Sequence, residues 1–182
     1  MARTGVPPSR RAAQAFVDHL NTVINGTVTD SRLSLIPLPD DDDAFEITRL
    51  VDRARSPLDL RGTSLQLFVR QTVVVVGGHT RTESYSYRLQ SSESAKSWLL
   101  RWEYYRDRPR PDYPYPLAHV HVNGAFENGE AIARLHVPTR RIPLELVIWH
   151  LVAEWGVEPR SDGWAAVLEA SIAGFDERRT AH

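Results

Sequence analysis

The chain contains no cysteine, which excludes disulfides, thiolate nucleophiles and cysteine-held metals. Lysine is nearly absent. Lys96 is the only one, so the basic side chains other than histidine are otherwise arginine. A guanidinium grips phosphate through a planar fork that an ammonium lacks. Neither sign of charge is in excess, with 22 Lys and Arg against 23 Asp and Glu. No global field therefore draws the chain to nucleic acid. Long apolar runs are missing too. Val73 to Val76 is among the longest, far short of the roughly 20 residues of a membrane span. Met-Ala-Arg-Thr-Gly at the start lacks the apolar core of a signal peptide. These absences lead to the expectation of a cytoplasmic protein without membrane contact.

What is present is ordinary globular composition, 42% hydrophobic and 25% charged. The 182 residues suit a single domain spanning 1–182. Ala13, Phe16, Val17, Leu20, Val23 and Ile24 fall at helical spacing, with Asn25-Gly26 as a stop. Ser31 to Leu38 reads as a strand and Pro39 to Asp43 as an acidic loop. Ile47, Leu50, Val51 and Ala54 read as a second helical stripe, entered through the capping-box spacing of Asp43 and Glu46.

The pattern then turns to β-formers. Leu65 to Val76 and Thr80 to Gln90 flank Gly77-Gly78, a two-residue hairpin signal. Ser97 to Tyr105 is an aromatic strand, and His119 to Glu127 pairs with Glu130 to Val137 around Asn128-Gly129. Leu144 to Trp155 and the segment after Asp162 return to helix. The expected fold is α+β, a mainly antiparallel sheet of about five to six strands with N-terminal and C-terminal helices packed on it.

Alternation sorts the faces of these strands. Trp98, Leu100, Trp102 and Tyr104 share one face, with Arg101 and Glu103 opposite. His119, His121 and Asn123 oppose Ala118, Val120 and Val122; Arg134 and His136 oppose Leu135 and Val137. Tyr85 and Tyr87 lie opposite Ser86 and Arg88. Counting back from Asn128-Gly129 sets Asn123 against Arg134 and His121 against His136, with Cβ atoms about 4.5–5.5 Å apart. His119 lies two residues along the same face. The three histidines should form a triangle, which a bulge at Asn123-Gly124 would break.

Such a face can be nothing more than solvated. It can also cleave RNA without metal. The 2′-hydroxyl needs a base, the 5′-oxygen needs an acid, and the phosphorane charge needs a cation. His119, His121 and His136 titrate in the right range, and Arg101 can hold the phosphate. Arg88 and Glu103 on neighbouring strands, Arg108 and Arg110 in the proline-rich loop, and Arg140 beyond the hairpin are the substrate-binding set. That loop also carries Tyr113 and Tyr115, a mixture suited to single-stranded RNA. Metal is the third reading, since three imidazoles on one face suit zinc or iron. The pair His119 and His121 is similar to the cupin metal motif, but Glu127 comes too late for it. The expectation is a site with neither metal nor cofactor.

A family resemblance lies over the same residues. Tyr85-Ser86-Tyr87-Arg88-Leu89-Gln90 is followed by Leu99-Leu100-Arg101-Trp102-Glu103-Tyr104, then His119-Val120-His121-Val122, then a helix with Glu145. This succession, residues 85–151, resembles the TumE-like toxins of bacterial toxin–antitoxin pairs. Where that family has an Asp-Asn pair, this chain has Glu103-Tyr104; the first sixty residues have no counterpart. The resemblance implies a toxin or defence protein acting on RNA through Arg101, His119 and His121, with an antitoxin as partner. A decayed relative without activity is equally compatible with it. The alternative from another class is a non-catalytic interaction module, binding through its sheet edge or the helix from Pro143 to Trp155.

Overall fold

A computed structural model describes residues 6–91, 98–125 and 131–180. Helix α1 (Pro8–Thr27) opens the chain, with Pro8 at its first position, where a missing N–H costs nothing. Among the described residues nine strands follow: β1 (Ser34–Leu38), β2 (Asp41–Val51), β3 (Ala54–Ser56), β4 (Leu58–Asp59), β5 (Gln66–Val76), β6 (His79–Gln90), β7 (Trp98–Tyr105), β8 (Ala118–Ala125) and β9 (Ala131–Pro138). Helices α2 (Leu144–Glu154) and α3 (Trp164–Thr180) close it. No described helix is long and apolar enough to cross a membrane.

The α+β class is as expected, but five to six strands is an undercount. The sheet is open and antiparallel, in the order β1-β2-β5-β6-β7-β8-β9; β3 pairs with β2, and β4 with β5. The segment read as a second helix is β2. Phe45 and Ile47 enter the core while Glu46 and Thr48, also buried, point the other way; the alternation ends at Arg49, and Leu50 and Val51 at the half-buried to exposed end of the strand complete a helical period with Ile47. Asp52 and Arg53, both at positive φ, turn β2 into β3. Glu46 is no capping residue. Its buried carboxylate pairs with Arg55 and, at 2.8 Å, with Arg70.

The hairpin at Gly77-Gly78 is as read. Both glycines have positive φ, and Val76 faces His79 across a two-residue turn. Asn128-Gly129 lies outside the described residues.

The helices cover one face of the sheet. Val17, Leu20 and Ile24 of α1, Leu144, Ile148 and Leu151 of α2, and Leu168 of α3 pack with Ile47, Val69, Tyr87, Leu89, Trp102 and Val120. Tyr87 donates to Gln71 Oε1 at 2.6 Å, and the Tyr85 hydroxyl accepts from the Ile142 N–H at 2.7 Å. These tyrosines hold the core. The opposite face is left for Arg70, Ser86, Arg88, Arg101, Glu103, His119, His121 and His136.

Candidate functional site

Two rows of side chains cross the polar face. In the first, Arg70, Ser86, Glu103 and His119 are successive partners from β5 to β8. In the second, the partners from β5 to β9 are Phe68, Arg88, Arg101, His121 and His136. The His121–His136 pairing matches the count from the turn. A register shift does occur between Val122 and Gly124, so Asn123 falls in the irregularity and loses its simple partner. The shift lies on the turn side of the histidines and leaves the triangle whole. Ring centroids are 4.6 Å apart for His119–His121, 4.1 Å for His121–His136 and 5.5 Å for His119–His136.

The proton positions follow from the partners. His119 is fully enclosed, and its Nδ1 lies 2.7 Å from the Pro116 carbonyl oxygen. A carbonyl only accepts, so Nδ1 carries the hydrogen and the neutral ring has a lone pair on Nε2. That Nε2 lies 2.9 Å from His121 Nε2, which in turn lies 2.6 Å from Glu103 Oε2. Burial pulls His119 below the ordinary histidine value, the Pro116 bond working against that shift and the neighbouring His121 with it. Burial raises Glu103, but the His121 hydrogen bond and the Arg101 charge outweigh it and hold the carboxyl below its usual range.

Arg101 binds the cluster to its surroundings. Its Nη2 is 3.1 Å from His121 Nε2, and its guanidinium lies over the Trp98 ring at 5.2 Å. Its Nε is 3.4 Å from Glu103 Oε1, close enough for charge attraction, yet the N–H is not aimed at that oxygen and is buried without an acceptor. Trp98 thus departs from its expected face. A register shift between Leu89 and Gln90 turns it away from Leu100 and Trp102 and toward Arg101 and His121. Arg88 is opposed to Arg101, stacks over Phe68 at 4.7 Å and donates to Gln90. Burial and then the Arg101 charge lower its pKa.

The residue-level reading missed Tyr115 as a member of the site. Its ring stacks on His136 at 3.8 Å and 9° and also touches His119. Tyr113 bridges Tyr105 and Tyr115, and burial, with Glu103 and Tyr105 nearby, pushes its hydroxyl up to about 12. The alternation Tyr113-Pro114-Tyr115-Pro116 directly before His119 was the available signal. Arg108 and Arg110 are in this loop but outside the cluster. Arg108 donates to the Tyr113 carbonyl and Arg110 pairs with Asp112. Arg140 is exposed between β9 and α2, likewise outside the cluster.

A second set with histidine, serine and carboxylate ties the helices together. Ser171 Oγ donates to Glu145 at 2.6 Å, and His19 Nε2 lies 2.9 Å from the same hydroxyl. With its proton given to Glu145, Ser171 is not activated by His19, so the set is structural. Burial raises Glu145, while His19, 3.8 Å away, and the Ser171 hydrogen bond outweigh it and lower it.

No protein-family model matches the chain, and no curated protein or solved structure matches it.

Proposed function

We propose that the chain acts on the phosphodiester backbone of single-stranded RNA at the polar face of its sheet, as a toxin-like protein of a bacterial toxin–antitoxin or defence locus. One observation carries the reading: Arg88 and Arg101 are directly opposed, in one row with His121 and His136, and the buried Arg101 Nε–H has no acceptor. Like charges facing each other across strands destabilise a sheet. A phosphate between them converts repulsion into charge-assisted hydrogen bonds and supplies the missing acceptor. Phe68, Trp98, Tyr105, Tyr113 and Tyr115 flank this row with aromatic surface on which bases can stack.

The histidine roles differ from a simple acid and base pair. His119, fully enclosed, reaches substrate only through His121 or Glu103. It is a positioning residue, and the reacting group lies at the His121–His136 side.

The test is expression in bacteria of the wild type, Arg88→Ala/Arg101→Ala and His121→Ala, with growth and total RNA integrity scored at matched soluble levels. The expected outcome is arrest with RNA decay in the wild type only. Normal growth with intact RNA in all three overturns the reading.

A specific observation favours a second reading, the protein-interaction module. β9 ends the strand order, and Leu135 and Val137 on it are 45% and 42% exposed. An open strand edge with apolar side chains suits strand addition by a partner protein, including an antitoxin. Co-purification of a partner that is lost in Leu135→Lys/Val137→Lys, with RNA unaffected throughout, would favour it.

A further inference from the structure

We infer that His119, His121 and His136, with Glu103 as a fourth donor, form a binding site for one divalent transition-metal ion, zinc or iron(II) in class. The inference concerns the same cluster as the RNA reading but stands on ion binding alone.

The first argument counts protons. His119 Nε2 carries a lone pair because its Nδ1 hydrogen goes to Pro116. Glu103 Oε2 is a carboxylate oxygen. His121 Nε2 faces both, at 2.9 Å and 2.6 Å, and can hold at most one hydrogen between them. His119 Nε2 and Glu103 Oε2 are themselves 3.5 Å apart. Three electron-pair donors therefore surround one small space with one ring proton to share, and the Arg101 Nη2–H, 3.1 Å from His121 Nε2, reaches only that one of them. A cation satisfies all three at once.

The second argument is geometric. Ligand nitrogens of the three histidines all lie within 4.8 Å of one another. Ligands at about 2.0–2.1 Å from one tetrahedral ion are roughly 3.4 Å apart, so the widest pair needs to close by no more than about 1.4 Å. Rotation of side chains covers that distance without moving the strands.

The third argument is the support around the ligands. A metal-binding histidine characteristically donates its other N–H to a carbonyl or carboxylate, which fixes the tautomer. The Pro116 carbonyl does this for His119. Arg101 lies beside Glu103 Oε1 and leaves Oε2 turned to the histidines. Tyr115 stacked on His136 restrains the third ring. All four donors come from three adjacent strands, β7, β8 and β9, a rigid base for a site of defined geometry. The sequence-level expectation of a metal-free site gives way to this proposal.

The test uses untagged full-length protein, stripped with chelator and titrated with zinc and separately with cobalt(II). Calorimetry reads stoichiometry and affinity, and the cobalt absorption spectrum reads nitrogen ligation. The expected result is one ion per chain, with at least tenfold weaker binding in His136→Ala and in Glu103→Gln. His136 is only half-buried, so His136→Ala is the variant least exposed to misfolding, and circular dichroism checks both. Absence of stoichiometric binding by the wild type overturns the inference, as does undiminished binding by folded His136→Ala. RNA cleavage by a wild type that binds no ion leaves the RNA reading standing and removes this one. Ion binding without any effect on RNA does the reverse.

Discussion

His119 Nε2 and His121 Nε2 lie 2.9 Å apart, and at most one hydrogen stands between them. Neither ring is arranged like a lone surface histidine. His119 is fixed from behind by Pro116, and His121 is held by Glu103. The pair and its carboxylate behave as one unit, and the predictions follow from that unit and from the contacts that hold it.

Replacing Glu103 with Gln keeps the shape but removes the charge and gives His121 a weaker acceptor. Hydrogen bonds to charged groups contribute about 1.5–3 kcal/mol, and Glu103 is only partly shielded, so a loss near the lower end, about 1.5 kcal/mol, is expected. Urea denaturation of the ion-free protein measures it. An unchanged midpoint would mean that the His121–Glu103 bond adds nothing to the fold.

Tyr115→Ala removes a ring stacked on His136. Aromatic pairs contribute about 0.5–1.5 kcal/mol beyond their buried area, so the variant should lose at least that much, while Tyr115→Phe should match the wild type. Thermal unfolding separates the two. Equal losses would point to the hydroxyl and away from stacking.

Acid should destabilise the protein in two stages. The folded-state pKa of His119 is lowered from 6.5 by burial. As pH falls below 6.5, the unfolded chain takes up a proton that folded His119 refuses, and stability drops until the folded pKa is passed. Glu46, whose burial is outweighed by Arg55 and Arg70, and Glu145 both have folded values below 4.5. Their contribution is full above 4.5 and is lost as pH falls through the folded values. Urea midpoints across this range should decline toward acid, and Glu46→Gln should flatten the lower stage. A flat profile in the wild type would show that these groups are solvated alike in both states.

Ser171→Ala should destabilise by about 1–3 kcal/mol, because it leaves the buried Glu145 carboxylate short of a donor. RNA and metal binding should be unchanged at temperatures where the variant is folded. A selective loss of activity would instead assign the His19–Ser171–Glu145 set a chemical role.

Much of the polar face was legible from the sequence. Period-two alternation placed Arg101, Glu103, His119, His121 and His136 together, and the turn count paired His121 with His136. The count came out right at the histidines because two offsets cancel: Gly124 and Ala125 pair one residue away from the counted register, and the shift at Asn123 restores it before His121. At Trp98 a similar shift moved the ring to the other face, and alternation had no means of registering it. β2 was misread because alternation runs only from Phe45 to Thr48 and then breaks, so Leu50 and Val51, half-buried and exposed at the strand's end, fall at a helix-like spacing from Ile47. Tyr115 was recognised as an aromatic in an arginine-bearing loop, but its seat on His136 depends on how that loop folds back, which no local pattern encodes. The absence of a metal was expected from spacing compared with known motifs. The donors of the proposed ion site are brought together by strand pairing, which comparison with a motif's spacing does not register.

The most direct measurement is incubation of a labelled single-stranded RNA with purified untagged protein, ion-free and zinc-loaded, beside Arg88→Ala/Arg101→Ala. The account predicts cleavage by the wild type, abolished by the double arginine substitution. RNA that stays intact and unbound under every condition, with folded protein and a filled metal site, would contradict it.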